Sequence, residues 1–393
     1  MTEGSKSDNS RWVHQIFSNA VDKEDYSAVS VDLLQPISWF FDLYGEDVRH
    51  RVCMLDMPLS GAVCLRPEFT IPLAYKFLSS GTSVQGTSTS QRYSYSGDAF
   101  FRSYLQNPQT GGTVERYLQS GIEIMGEGDA IAADVDVFMV VYEVLKQCGC
   151  SFASTIGDMR IIFTWIDSLE IPHFCKKRLK RHLRMPKFHE TLASLLPCRE
   201  QLSDKDLFFQ NFASCSHKEA KQAVQTKLDE IDEVPFGTRT VDDIVKHCLE
   251  RSEQVESNSD LARQVECIKE FLAIEEKADK SVQTMQKIIK KAGMEEILGD
   301  VLGNFEKRLD ALKAHGIELG SLMFNASYGR GRAYYDGFIF EMHTSCRTEE
   351  PQPAAFARGG RYDRLLEAIG APKGMRAVGG VLYPDMIVKE CVR

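Results

Sequence analysis

No apolar run in the chain approaches the roughly 18–20 residues needed to span a bilayer, and the opening MTEGSKSDNSRW is polar, with no apolar secretory core. Those absences make the cytoplasm the expected compartment and a membrane an unexpected partner. No excess of positive charge is present: 47 Lys and Arg stand against 56 Asp and Glu, a net charge of −9. That balance argues against a general nucleic-acid coat. No second Cys/His pair stands at zinc-ligand spacing from Cys148 and Cys150, so no metal site is expected. The 11 cysteines are scattered through a long chain without a secretory signal and read as core thiols and surface accidents, not a disulfide framework. No glycine-rich segment opens a helix at dinucleotide-binding spacing, no P-loop is present, and no Ser/His/Asp or Cys/His triad can be assembled. No cofactor is expected. Internal repeats are absent too.

What is present is an ordinary globular composition, 43% hydrophobic and 26% charged over 393 residues, long enough for two or three domains. Residues 1–10 read as loose, followed by a short helix from Arg11 to Asp22. Val29 to Pro36 reads as a strand that proline stops. Val52–Leu55 and Ala62–Leu65 read as paired strands around a turn at Pro58–Gly61. A helix runs from Ile71 to Leu78, and Ser/Gly/Thr-rich residues 79–90 form a loop. Ser90–Arg102 and Glu115–Met125 alternate as two long antiparallel strands, with a turn at Gln106–Gly112. An amphipathic helix covers Ile131–Gln147, with Val135, Phe138, Met139, Tyr142 and Leu145 near period 3.6. From about 160 to 317 strand signals nearly vanish. Helical spacing dominates there, as in Leu207–Ala213, Glu219–Ile231, Val241–Cys248, Leu261–Ile274 and Met294–His315. Strand patterning returns at Gly320, and a Gly-Gly-Arg-Tyr-Asp element at 359–363 enters a short helix. A last strand covers Ala377–Leu382. The expected architecture is α+β, an antiparallel sheet core with flanking helices, interrupted by a helical insertion. The expected divisions are 1–158 and 318–393 for the core and 159–317 for the insertion. Loops 79–90 and 345–360 are the expected lids.

The densest chemistry lies between Gly329 and Glu341, a stretch of three glycines, two arginines, two tyrosines and two carboxylates that contains the strand run Phe338-Ile339-Phe340. Strand alternation sends Tyr335 and Asp336 to opposite faces. Elsewhere Glu68 and Thr70 follow a strand, Arg102 ends another, and Gln119 and Glu123 stand four apart, on one strand face. With Arg330, Tyr334, Tyr335 and Tyr362 these residues could satisfy an α-amino group, an α-carboxylate and one polar side chain together. They could equally pair with one another and hold the sheet. The basic run from Lys176 to His182, with Arg184, suits a phosphate or nucleic acid. It suits equally the solvated face of a helix whose stripe is Leu179 and Leu183.

Five segments appear in order: Leu65-Arg-Pro-Glu-Phe-Thr70, Phe101-Arg102, Leu118-Gln-Ser-Gly-Ile-Glu123, the Arg330–Glu341 stretch and Gly359-Gly-Arg-Tyr-Asp363. As a set they resemble the catalytic core of class II histidyl-tRNA synthetases, over about residues 29–150 and 318–385. The nearer likeness is to their non-synthetase relatives, the regulatory subunits of ATP phosphoribosyltransferase. The resemblance implies that Glu68, Thr70 and Gln119 take the amino group of histidine and that Arg102 and Arg330 serve its carboxylate. Glu123 and Tyr335 would read the imidazole, and Tyr362 would close the pocket. Departures separate the two relatives. Ser103 and Tyr104 follow Arg102 where a synthetase has its adenine-side glutamate. Met386 stands where the ATP-clamping arginine belongs, behind Tyr383 and Pro384. Losing such a phosphate contact costs about 2–5 kcal/mol, before any effect on the transition state. No anticodon-binding domain is expected after Ala377–Leu382.

The resemblance therefore implies a non-catalytic regulatory subunit of a hetero-oligomeric ATP phosphoribosyltransferase. Its expected partners are a short-form catalytic subunit, a second copy bound through the strand around Pro36, and histidine as feedback effector. The alternatives are a truncated synthetase paralogue that still activates histidine or modifies a protein, and an RNA-binding module built on the basic run.

Overall fold

The structure is a computed structural model that describes residues 3–44, 52–57, 61–80, 90–103, 113–126, 128–183, 188, 192, 216–230, 240–252, 259–329, 334–345 and 355–391. Two compact units emerge. The first comprises Met1–Ile161, Ala273–Met285 and Gly299–Arg393, and the second Ile162–Leu272 and Gln286–Leu298.

The first unit is built on a large sheet. Its strands are β1 (Ser27–Ala28), β5 (Gln91–Ser103), β6 (Thr113–Gly126), β7 (Phe152–Asp158), β8 (Glu275–Lys277), β9 (Leu322–Asn325), β10 (Phe338–Thr344), β11 (Ala355–Arg361) and β12 (Arg376–Leu382). They lie in the order β1-β5-β6-β12-β11-β10-β7-β9-β8. Every pairing is antiparallel except β1 with β5 and β7 with β9. A smaller sheet pairs β2 (Leu34–Pro36), β4 (Gly61–Leu65) and β3 (Met54–Met57) in that order. Pro36 sits within β2 rather than beyond it. As an edge strand, β2 tolerates a residue with no N–H to donate.

One face of the large sheet is covered by helix α4 (Ala130–Gln147), which Asp129 caps by accepting from the Ile131 and Ala132 N–H groups at 2.8 and 3.2 Å. Its burial is wider than a single stripe, taking in Val135, Val137, Phe138, Val140, Val141, Val144 and Leu145. Phe138 meets Phe340 edge-on at 5.1 Å. Helix α1 spans Glu3–Lys23, so the expectation of a loose start is corrected: its Val13, Phe17 and Val21 are buried, and that packing holds a helix the local sequence only half signals. Helices α2 (Ser38–Tyr44) and α3 (Thr70–Ser79) follow the early strands.

Polar anchors tie the core together. Fully buried Asp134 on α4 accepts from Arg308 Nε at 2.5 Å and Arg361 Nε at 2.8 Å. Arg361 also reaches Asp363 at 2.9 Å, and Arg308 reaches Asp158 at 3.3 Å. Burial of such charges is tolerable because each is paired.

The chain continues through helices α5 (Met159–Ser168), α6 (His173–His182), α7 (His217–Glu230), α8 (Val241–Ser252), α9 (Ser259–Leu272), α10 (Ala278–Ala292) and α11 (Glu295–Ala314). In the second unit Trp165 meets Phe271 edge-on at 5.9 Å, and Ala220, Val224, Val245 and Cys248 form a local core. Strand β9 falls where strand patterning returns at Gly320, whereas β7 carries no strand reading in the sequence and β8 lies inside the stretch that reads as helical. Short helices α12 (Asp363–Ala368) and α13 (Pro384–Cys391) flank β12.

Residues 355–360 belong to β11, not to a lid, because they pair with both β10 and β12. The rest of that expected lid, most of the 79–90 loop and the Gln106–Gly112 turn lie outside the described residues, as does the expected helix Leu207–Ala213. Cys53, Cys64, Cys148, Cys248 and Cys267 are buried thiols, whereas Cys150 and Cys391 form a disulfide, against the expectation of none. No helix among the described residues is long and apolar enough to cross a membrane.

Candidate functional site

Residues directly opposite one another in adjacent strands share a face of the sheet. Glu123 on β6 is opposite Tyr93 on β5 and Gly379 on β12, which is opposite Gly360 on β11. Two positions along, Gly121 is opposite Tyr95 and Val381, and Val381 is opposite Arg358. Gln119, opposite Gly97, continues the same face. Glycine here is a matter of space. A Cβ on Gly121 would overlap the Tyr95 ring, and one on Gly379 would overlap the Glu123 carboxylate. The bare floor lets both side chains lie down along the sheet.

Over that floor Glu123 is fully buried and hydrogen-bonded by neutral groups. Thr70 Oγ1 donates to its Oε1 at 2.8 Å, and the Tyr362 hydroxyl donates to its Oε2. Tyr95 stacks on Phe69 at 4.4 Å. Tyr334 packs edge-on against Tyr335 at 4.7 Å and Tyr362 at 5.7 Å, so the three tyrosines form one wall.

Desolvation raises the Glu123 carboxyl to about 8, against the lowering pull of Tyr362 and Thr70. It raises Glu68 to about 7, opposed by the N–H donors of Ile71 and Thr70. Burial and the neighbouring Glu123 push the Tyr362 hydroxyl well above its ordinary value, which keeps it a donor. Among the described residues neither glutamate is joined in an ion pair.

The structure thus brings together Thr70, Glu123, Tyr334, Tyr335 and Tyr362, with buried Gln119 farther along the same face. Glu68 adjoins them but faces its own helix: its two oxygens accept from the Thr70 N–H at 2.7 Å and the Ile71 N–H at 2.9 Å, capping the first turn of α3. Arg102 stands apart. The β5–β6 register is unbroken from Gln91 to Ser103, so alternation puts Arg102, opposite Val114, on the other face from Glu123. It is exposed there. Arg330 lies outside the described residues.

Tyr95 and the glycines were not legible as site residues. The alternation Tyr93-Ser-Tyr95-Ser-Gly97 puts Tyr95 on one face of a strand, but only cross-strand register shows what shares that face. Asp336 diverges from Tyr335 as alternation predicts: it accepts from the Arg364 N–H at 2.7 Å and the Asp363 N–H at 3.2 Å, holding the start of α12.

The basic run forms α6, with Leu179 and Leu183 buried. Lys180 pairs with Asp167, and Lys176 donates to the Asp167 carbonyl at 2.8 Å. This is the solvated-helix arrangement; Arg184 lies outside the described residues. Among the described residues no group of three or more His, Cys, Asp or Glu is arranged to hold a metal ion.

An open-faced, mostly antiparallel sheet with a polar amino-acid-sized cluster over a glycine floor defines a class II synthetase-like core. The histidyl-tRNA synthetase family model matches residues 4–266 and 238–387. Solved structures agree on the fold. One, described as an ATP phosphoribosyltransferase regulatory subunit/histidyl-tRNA synthetase from Bacillus halodurans, gives a TM-score of 0.63 at 16% identity, over 100% of this chain and 80% of that one. A histidyl-tRNA synthetase from Nostoc sp. PCC 7120 gives 0.60 at 13% identity, over 98% of this chain and 72% of that one. The curated relatives are more specific. A protein of Mesorhizobium japonicum is 32% identical and one of Agrobacterium fabrum 29%, each over 92% of both chains, and both are named ATP phosphoribosyltransferase regulatory subunit. The chain belongs to the histidyl-tRNA synthetase-like family, on the branch of the ATP phosphoribosyltransferase regulatory subunits.

Proposed function

We propose that this chain is the regulatory subunit of a hetero-oligomeric ATP phosphoribosyltransferase. It serves the first step of histidine biosynthesis, and its partner subunit carries the catalysis. The relatives' shared name supports that role. One observation carries the ligand reading: the pair of buried carboxyls, Glu68 and Glu123, joined in no ion pair among the described residues, behind a wall of tyrosines. A buried carboxylate without a cation is costly, and a ligand bearing an ammonium or imidazolium group supplies what is missing. Histidine bears the first and, on protonation of its imidazole, the second. In this reading Thr70 and Gln119 meet its amino group, Glu123 and Tyr335 its imidazole, and Tyr362 closes the pocket. Feedback then requires that histidine bind the inhibited assembly more tightly than the active one, since equal affinity shifts nothing.

The partner is a short-form catalytic subunit in the cytoplasm, and the chain also pairs with a second copy of itself. Exposed Leu34 and Leu55, which the register places on one face of the small sheet, favour such pairing.

The test is co-purification with a short catalytic subunit, sizing of the complex by light scattering, and assay with and without histidine. The expected result is an assembly containing paired regulatory chains whose activity histidine suppresses. Glu123→Ala should abolish the suppression while leaving the assembly intact. A chain that forms no complex, or histidine-dependent ATP–pyrophosphate exchange by this chain alone, would overturn the proposal in favour of a synthetase paralogue.

A further inference from the structure

We infer that Arg358 is the residue that reads the α-carboxylate of the amino-acid ligand, an inference that rests on the pocket reading above. A zwitterion lodged against Glu123 brings a carboxylate into a site whose described charges are themselves carboxylates. It needs a cation on the same side of the sheet. Arg102 is on the other face.

Two guanidiniums stand near the pocket face among the described residues. Arg66 is occupied as a brace: its Nε donates to the Asp98 carbonyl at 2.8 Å, its Nη1 to the Val31 carbonyl at 2.5 Å, and its plane lies over Phe69 at 4.2 Å. Arg358 is different. Register places it opposite Val381, which is opposite Gly121, while Glu123 stands two residues further along β6. Two strand spacings and one two-residue step put the Arg358 and Glu123 Cα atoms about 12 Å apart. That span leaves room for an amino acid between the two side chains.

Its fork is also preorganised. Nε is held by Glu341, the same-face residue opposite it on β10, and the guanidinium lies 5.8 Å from the Tyr383 ring. Among the described residues no hydrogen bond engages its two terminal nitrogens, the pair that grips a carboxylate in parallel. The side chain is 28% exposed, so it is reachable, yet sheltered enough for the contact to matter.

The experiment compares histidine with histamine, which lacks the carboxylate, by calorimetry on the full chain. Binding is measured for the wild type, Arg358→Gln and Arg358→Gln/Glu341→Gln. The double variant removes both charges together, so it avoids leaving a half-buried glutamate unpaired. The wild type should prefer histidine, and both variants should lose on the order of 10- to 100-fold in histidine affinity while histamine binding stays within about threefold. Variants that keep the wild-type preference for histidine would overturn the assignment while leaving the pocket standing, as would a wild type that binds both ligands equally. A wild type that binds neither would remove the pocket reading itself, and this inference with it.

Discussion

Replacing Gly379 with alanine puts a methyl group where the Glu123 carboxylate lies. The backbone there is outside the left-handed region, so the substitution carries no torsional penalty and acts only through space. Gly379 and Glu123 are directly opposite in paired strands, so neither can move without opening the sheet between β6 and β12. The carboxylate must swing away and give up the donors Thr70 Oγ1 and Tyr362 OH. Hydrogen bonds among neutral groups contribute about 0.5–1.5 kcal/mol each. Overpacking a core costs about 1–3 kcal/mol, and the stiffer unfolded chain returns about 0.4–1 kcal/mol. A net loss of about 3 kcal/mol is expected, read as a lowered urea midpoint at constant slope. Histidine binding should fall beyond calorimetric detection, since the group that meets the imidazole has been displaced. A variant within about 0.5 kcal/mol of wild type that still binds histidine normally would refute the claim that the glycine floor seats Glu123.

The raised carboxyls give a pH signature of unusual sign. Glu123 and Glu68 titrate near 8 and 7 when folded and near 4.5 when free, so between those values the folded chain holds protons the unfolded chain has released. Their contribution to stability is full below about 4.5 and declines as pH rises to about 8; urea midpoints of the ligand-free chain that rise from pH 5 to 8 in Glu123→Gln-corrected data would contradict it. A cationic ligand requires the ionised form, so histidine binding should release protons near pH 7. Calorimetric enthalpies that do not vary with buffer ionisation would count against this. Asp134→Asn should cost about 3–5 kcal/mol, because it strips the shared counterion from buried Arg308 and Arg361; a loss under about 1 kcal/mol would mean that Asp158 and Asp363 alone suffice.

The long periodic elements were readable from the chain alone. Strands β5 and β6 and helix α4 each carry enough repeats for alternation or helical spacing to stand out, and their packing partners add little to the choice. The three-residue β8 carries no such signal, and its strand state comes from pairing with β9. Helix α1 shows the same dependence, since its buried stripe secures residues that local propensity leaves open.

The chemistry divides in the same way. Residue types and spacing within one strand were enough to put Gln119 and Glu123 on a common face and to mark the tyrosines as candidates, because alternation is a property of a single strand. Which strands lie side by side, and in what register, is a property of the closed sheet. That register set Gly379 beneath Glu123, turned Arg102 to the far side and brought Arg358 to the near one. A one-residue slip would reverse each of those assignments, which is why the sequence could nominate the pocket's side chains while only the paired strands could decide which of them meet.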